Sequence, residues 1–239
     1  MVRLNIAYNS FELLLPTTYK LPVIEELAIG TNFFFGTIPT EIATLTTLRI
    51  LSMRETALEA GVPTEFGLLT NLEVLDVSTN VLSGTIPSEL GLLTNLTSLS
   101  LEITYMVGGI PAELGNLQNL VELQLSQSLL TGTIPSEIGN MKSLVDFEVF
   151  NNTLTGTIPP ELGALTNLEE MELQINALEG TVPTEIGKLK GLIRLKVHSN
   201  GLTGTMPNDV CNLGGLQNLT SDCDGSTPLI VCDCCTQCF

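Results

Sequence analysis

Basic residues are scarce: Lys and Arg total 9 against 26 Asp and Glu, a formal net charge of −17. A phosphate backbone needs a basic face, so this balance argues against any nucleic-acid partner. Histidine is scarcer still, His198 being the only one, which leaves no His-pair metal site and no duplicated acid-base machinery. No apolar run reaches the roughly 18–20 residues of a membrane span. Asn5, Asn9, Ser10 and Glu12 break up the first fifteen positions, so neither a transmembrane helix nor a signal peptide is read there. Cysteine is missing from the first 210 residues. Against these absences, 44% of the 239 residues are hydrophobic and 15% charged. That is ample material for a core and excludes the disordered class.

What the chain does hold is a period. Ile38-Pro39, Val62-Pro63, Ile86-Pro87, Ile110-Pro111, Ile134-Pro135, Ile158-Pro159, Val182-Pro183 and Met206-Pro207 follow one another at steps of 24 residues. An earlier copy, Leu15-Pro16, is offset by 23 because the stretch from Pro16 to Leu21 is one residue shorter, which makes nine units. Within a unit, apolar positions recur as in Leu69, Leu72, Leu75 and Val77. The closing Leu-x-Leu alternation predicts a short strand with one buried face. A polar column follows each strand: Asn9, Asn32, Thr56, Asn80, Thr104, Ser128, Asn152, Asn176 and Asn200. An amide there can donate to and accept from backbone groups that stacking would bury, whereas Thr and Ser keep part of that capacity. Glycine precedes most Ile-Pro pairs by two residues, with Ala60 the exception, and permits a tight bend. An acid two residues after each proline, Glu41 to Asp209, faces the positive end of a short helical turn.

The pattern Leu-x-x-Leu-x-x-Leu-x-Leu-x-x-Asn-x-Leu-x-Gly-x-Ile-Pro resembles leucine-rich repeats of the plant extracellular type, over residues 1 to about 220. The resemblance implies an α/β fold of right-handed solenoid form. A parallel β-sheet lines the concave face, 3-10 or short helical turns form the convex face, and a second small strand lies near Gly-x-Ile-Pro. Residues 1–210 read as the repeat array and 211–239 as a C-terminal cap. All six cysteines fall in that cap: Cys211, Cys223, Cys232, Cys234, Cys235 and Cys238. They read as disulfides of an oxidising compartment with 15 possible pairings, and a zinc knot is the alternative. This ending is similar to that of diatom and algal leucine-rich-repeat proteins. The first repeat enters at Leu4-x-Ile6 with no cysteine-paired cap, which leaves an apolar edge bare. Missing upstream residues, an irregular first unit acting as cap, or another chain could account for it, and an oligomer through that edge is one outcome. Phe33 and Phe35 are expected to be partly exposed nearby.

In that family, recognition usually uses the solvent-facing positions of the concave strands. Here they include Arg54, Glu102, Glu122, Asp146, Glu148, Phe150, Glu170, Glu172, Arg194, Lys196 and His198. Five acids, Glu122, Asp146, Glu148, Glu170 and Glu172, should cluster on three adjacent strands with Arg194, Lys196 and His198 beside them. This is either a docking patch for a cationic protein segment or Ca²⁺, or a solvated face. A glycosidase couple of carboxylates would need a desolvated pocket, which shallow repeated coils do not supply. The chain is therefore read as a non-catalytic, secreted or cell-surface module that uses no cofactor and holds no resident metal. Its expected ligand is a protein or a glycan. A structural or adhesive role is the alternative, as is ice binding through the threonine column Thr37, Thr85, Thr133, Thr157, Thr181 and Thr205. Gly61 and Gly109 interrupt that rank. N-x-Ser/Thr acceptors stand at Asn95, Asn151 and Asn218.

Overall fold

Inward-pointing apolar residues at a fixed phase pull successive units into register. Leu51, Leu75, Leu99, Leu123, Phe147, Met171, Leu195 and Leu219 pair in turn across neighbouring strands, each at most 1% exposed. Strand pleat then sends the flanking side chains to the opposite face. The computed structural model describes residues 2–15, 23–224 and 229–239, with Pro16 and Leu21 outside that set. Eleven parallel strands form the large sheet. They run from Val2–Asn5 and Ile24–Ala28 through Glu122–Gln124, Asp146–Glu148, Glu170–Glu172 and Arg194–Lys196 to Asn218–Ser221 and Gln237–Cys238.

On the opposite side each proline caps a short turn. Pro87, for example, has φ −65° and ψ 130° ahead of the 3-10 helix Ser88–Leu92, with Glu89 in its first turn. Among the described residues only the last turn, Asn208–Cys211, is α-helical. These turns stack closely: a Cβ on Gly91 would lie 2.3 Å from the Glu113 carbonyl oxygen, and Gly115, Gly139 and Gly163 meet the next turn in the same way. The bend glycines before Ile-Pro have φ between +74° and +94°, and Ala60 adopts +62° at the same place. Short second strands also form, but they fall into four separate small sheets.

The polar column works as an amide ladder. Asn152 Nδ2 donates to the carbonyls of Leu125 (3.0 Å) and Val149 (3.1 Å), and its Oδ1 accepts from the Leu130 N–H (3.0 Å). Asn80, Asn176 and Asn200 repeat this bonding. Thr104 and Ser128 instead bond to each other at 2.9 Å. At the C-terminal end Asp222 takes over, its two carboxylate oxygens accepting from Ser199 N–H (2.7 Å) and Asn200 N–H (3.1 Å).

The six cysteines pair as Cys211–Cys234, Cys223–Cys238 and Cys232–Cys235, which leaves no free thiol for the zinc alternative. The tail folds back onto the array: Ile230–Val231 pairs with Gly204–Thr205, and Gln237–Cys238 adds the eleventh strand. At the other end Leu4 is 37% exposed, and a groove of about 240 Å³ opens among Leu4, Ile6, Phe11, Leu13, Leu14 and Phe34. Phe33 (61%) and Phe35 (43%) are exposed around buried Phe34, as their positions implied.

Candidate functional site

Strand register decides which charges meet. Glu122, Asp146, Glu170 and Arg194 form one row across four strands, and Gln124, Glu148, Glu172 and Lys196 form the next. The basic pair is consumed at one end. Arg194 is ion-paired to Glu170 and lies 3.5 Å from Glu172, and Lys196 Nζ lies 2.8 Å from the same Glu172 oxygen. Glu172 is 5% exposed, so it is a buried counter-ion and does not present itself as a contact residue. Its other oxygen accepts from Gln174 Nε2 at 3.0 Å. Among the described residues, no ion pair reaches Glu122, Asp146 or Glu148.

Asp146 and Glu148 resist ionisation. Partial burial, with Glu170 and Glu122 close by, pushes the Asp146 carboxyl up to about 6. Burial, with Asp146, Glu172 and Glu102 nearby, pushes Glu148 to about 7. Oxygens of Asp146, Glu148 and Glu170 lie within 4.8 Å of one another, close enough for a single cationic group to touch all three. Asp146 Oδ1 and Gln174 Oε1 are buried without a hydrogen-bond partner. Both are acceptors, so this part of the face is short of donors.

The Leucine Rich Repeat family model matches residues 71–93 and 119–141. The fold is a leucine-rich-repeat solenoid. The ectodomain of the plant membrane receptor kinase GASSHO1/SCHENGEN3 from Arabidopsis thaliana, solved with CASPARIAN STRIP INTEGRITY FACTOR 2, is similar at 33% identity and a TM-score of 0.91. The match covers 97% of this chain and 27% of that one. A TDR receptor is 37% identical with a TM-score of 0.87, over 91% of this chain and 38% of that one. A plant ice-binding protein is 27% identical with a TM-score of 0.78, over 97% and 74%. The chain thus spans well under half of these receptor ectodomains. No curated protein matches it.

The remaining expected contact residues divide by environment. Arg54 is exposed and pairs with Glu55 at 3.4 Å, while Glu102 accepts from Ser126 Oγ at 3.3 Å. Phe150 is half-buried beside the acids. His198 is half-buried, with Phe239 stacked on one face of its ring at a 3.8 Å centroid distance, and burial lowers its pKa. Sequence reasoning missed this because nothing in residues 232–239 announces that the tail crosses onto the sheet of the leucine-rich-repeat array. Asn95 and Asn151 are exposed. Asn218 lies within a strand of the large sheet, its Oδ1 buried and its Thr220 partner 3% exposed, so modification there would have to precede closure of the coil. No helix among the described residues is long and apolar enough to cross a membrane.

Proposed function

We propose that this chain is a non-catalytic interaction module of an extracellular or cell-surface protein and binds a protein ligand on its concave sheet. The observation that carries this reading is the acidic surface made by exposed Glu122 with half-buried Asp146 and Glu148, to none of which the neighbouring basic side chains form an ion pair. A partly desolvated cluster of acids that persists on a solvent face is held ready for a cationic partner. Three disulfides and exposed acceptors at Asn95 and Asn151 support an oxidising, secretory setting. Similarity to receptor ectodomains solved with peptide ligands, such as RGFR1 with RGF2, supports a peptide or protein partner over a glycan.

The test is surface capture of basic peptides at low and high salt by the wild type and by an Asp146→Lys, Glu148→Lys variant. Salt-sensitive capture lost in the variant is expected. Capture indifferent to both would refute the reading. Glu172→Lys is a poor probe, because it would leave Lys196 and Arg194 facing a third cation.

Ice binding is a second reading, supported by the similarity to a plant ice-binding protein. Thr131, Thr133, Thr155, Thr157, Thr203 and Thr205 are all exposed. Against it, the small strands that carry this rank do not form one continuous sheet, and Glu179 and Val107 interrupt it. A measurement of thermal hysteresis on the purified protein decides: none at millimolar concentration would remove this reading.

A further inference from the structure

Three consecutive coils carry a bulky apolar side chain just after the polar ladder. Val81, Tyr105 and Leu129 are 45%, 58% and 48% exposed. The equivalent place holds an exposed Phe33 near the N-terminal end but Ala57, Thr153, Ala177 and Gly201 in other coils, so three bulky residues in succession occur in the middle of the array. Ile103, 40% exposed at φ +54°, extends this stripe. Val81, Ile103 and Tyr105 wall a groove of about 350 Å³ that Thr56, Thr79, Asn80, Thr104 and Gln127 complete; Leu129 lies in the next coil, outside its lining.

The floor of this groove makes no polar demand. Thr56 Oγ1 donates to Asn80 Oδ1 at 2.5 Å, Asn80 Nδ2 donates to the Met53 and Val77 carbonyls, and Thr104 Oγ1 bonds Ser128 Oγ. On this floor a polar guest would give up water and gain no partner, and polar side chains with no such internal bonding, Thr79 and Gln127, stand only at the edge of the lining. The hollow sits where Thr56 and Thr104 are shorter than the asparagines that fill the turn at 152, 176 and 200.

The acidic surface begins at the lip of the groove. Glu102 directly precedes Ile103, and its charge is among those felt by Glu148 two coils away. Two strand spacings of about 4.8 Å make roughly 10 Å, which an extended chain covers in about three residues. An anionic or neutral guest finds no counterpart on this lip; a cationic one finds Glu102, Glu148 and Asp146.

Resting on the concave-face reading above, we infer that the groove is its apolar anchor site. The occupant is an extended segment of a partner protein with a bulky apolar side chain about three residues from a pair of basic side chains.

The experiment is selection of a random twelve-residue peptide library on the wild type, followed by affinity measurement of the enriched peptides by fluorescence polarisation. The expected sequences pair an aromatic or large aliphatic residue with Lys or Arg three or four positions away. Their affinity should fall tenfold or more for a Tyr105→Ser, Ile103→Asn variant, whose altered side chains are exposed and whose fold is checked by its melting curve. It should fall threefold or more for Asp146→Asn with Glu148→Gln. Enriched peptides that are basic but lack an apolar residue, or that bind the groove variant undiminished, overturn the anchor and leave the concave-face reading intact. Peptides indifferent to the carboxamide variant, or no enrichment at all, overturn both, as does enrichment of acidic sequences.

Discussion

Ile103 and Ile175 occupy a backbone region that β-branched residues avoid, at φ +54° and +58°. They belong to a column that includes Tyr8, Thr31, Glu55, Thr79, Gln127, Asn151 and Ser199, every member between +50° and +58°. The corner is imposed from outside: the Ile175 N–H must reach the His198 carbonyl of the next coil (3.1 Å). Left-handed geometry costs an ordinary residue roughly 1–2 kcal/mol, and asparagine tolerates it better. Ile175→Asn is therefore expected to stabilise the fold by roughly 0.5–1 kcal/mol, read as a rise in Tm; an unchanged or lower Tm would remove the strain argument. At Glu148 the sign runs with pH. Its folded pKa of about 7 lies above the ordinary value, so the proton is bound more tightly in the folded state. Stability should rise as pH falls from above 7 toward 5, by on the order of 1 kcal/mol after solvent screening. Glu148→Gln should flatten that profile and raise Tm at pH 8. The left-handed column was not legible in the sequence, because its residue types share no property; the raised carboxylates were half legible, since register foretold the cluster but not which acids the basic residues would neutralise.

At the scale of the repeat element, two columns hold neighbouring coils together. Asn152→Ala would orphan the Leu130 N–H and the Leu125 and Val149 carbonyls, at about 1–3 kcal/mol for each buried group left unpaired. Thr104→Ala removes a single shared hydroxyl contact and an intra-coil bond to Leu101, so a clearly smaller loss is expected by chemical denaturation. The turn glycines act through space: Gly115→Ala would put a Cβ 2.4 Å from the Glu137 carbonyl oxygen. Such overpacking typically costs 1–3 kcal/mol, whereas the same substitution at Gly214, with nothing within 4 Å, should be nearly silent. The ladder was readable from residue type and spacing. The close packing at Gly115 was not, because a glycine in a turn reads as a bend until the next turn is seen against it.

Across the whole molecule, each coil touches chiefly its neighbours, so stability depends on how the ends are closed. Cys211–Cys234 ties the last helical turn to the tail across 23 residues of sequence. Loop-closure entropy for a span of that size is about 3 kcal/mol. A Cys211→Ser, Cys234→Ser variant should lose hydrogen-exchange protection first in residues 201–221, while the coils between residues 70 and 170 stay protected. Uniform loss along the array would contradict this end-first picture. The same closure takes one ring face of His198 out of the binding surface, since the tail it anchors carries Phe239 over the imidazole.

The sequence alone determined the repeat, the short strands, the proline-capped turns and the ladder, because each follows from the period and from local backbone chemistry; the parallel sheet was implied by the resemblance to plant extracellular leucine-rich repeats. It also placed five acids on three adjacent strands, because a fixed phase brings equivalent positions side by side. Tertiary structure alone decided the pairing of the cysteines, the burial of Glu172 under Lys196 and Arg194, the stacking of Phe239 on His198 and the hollow beside Tyr105. Those depend on where long side chains and an aperiodic tail come to rest in space, which a period does not specify.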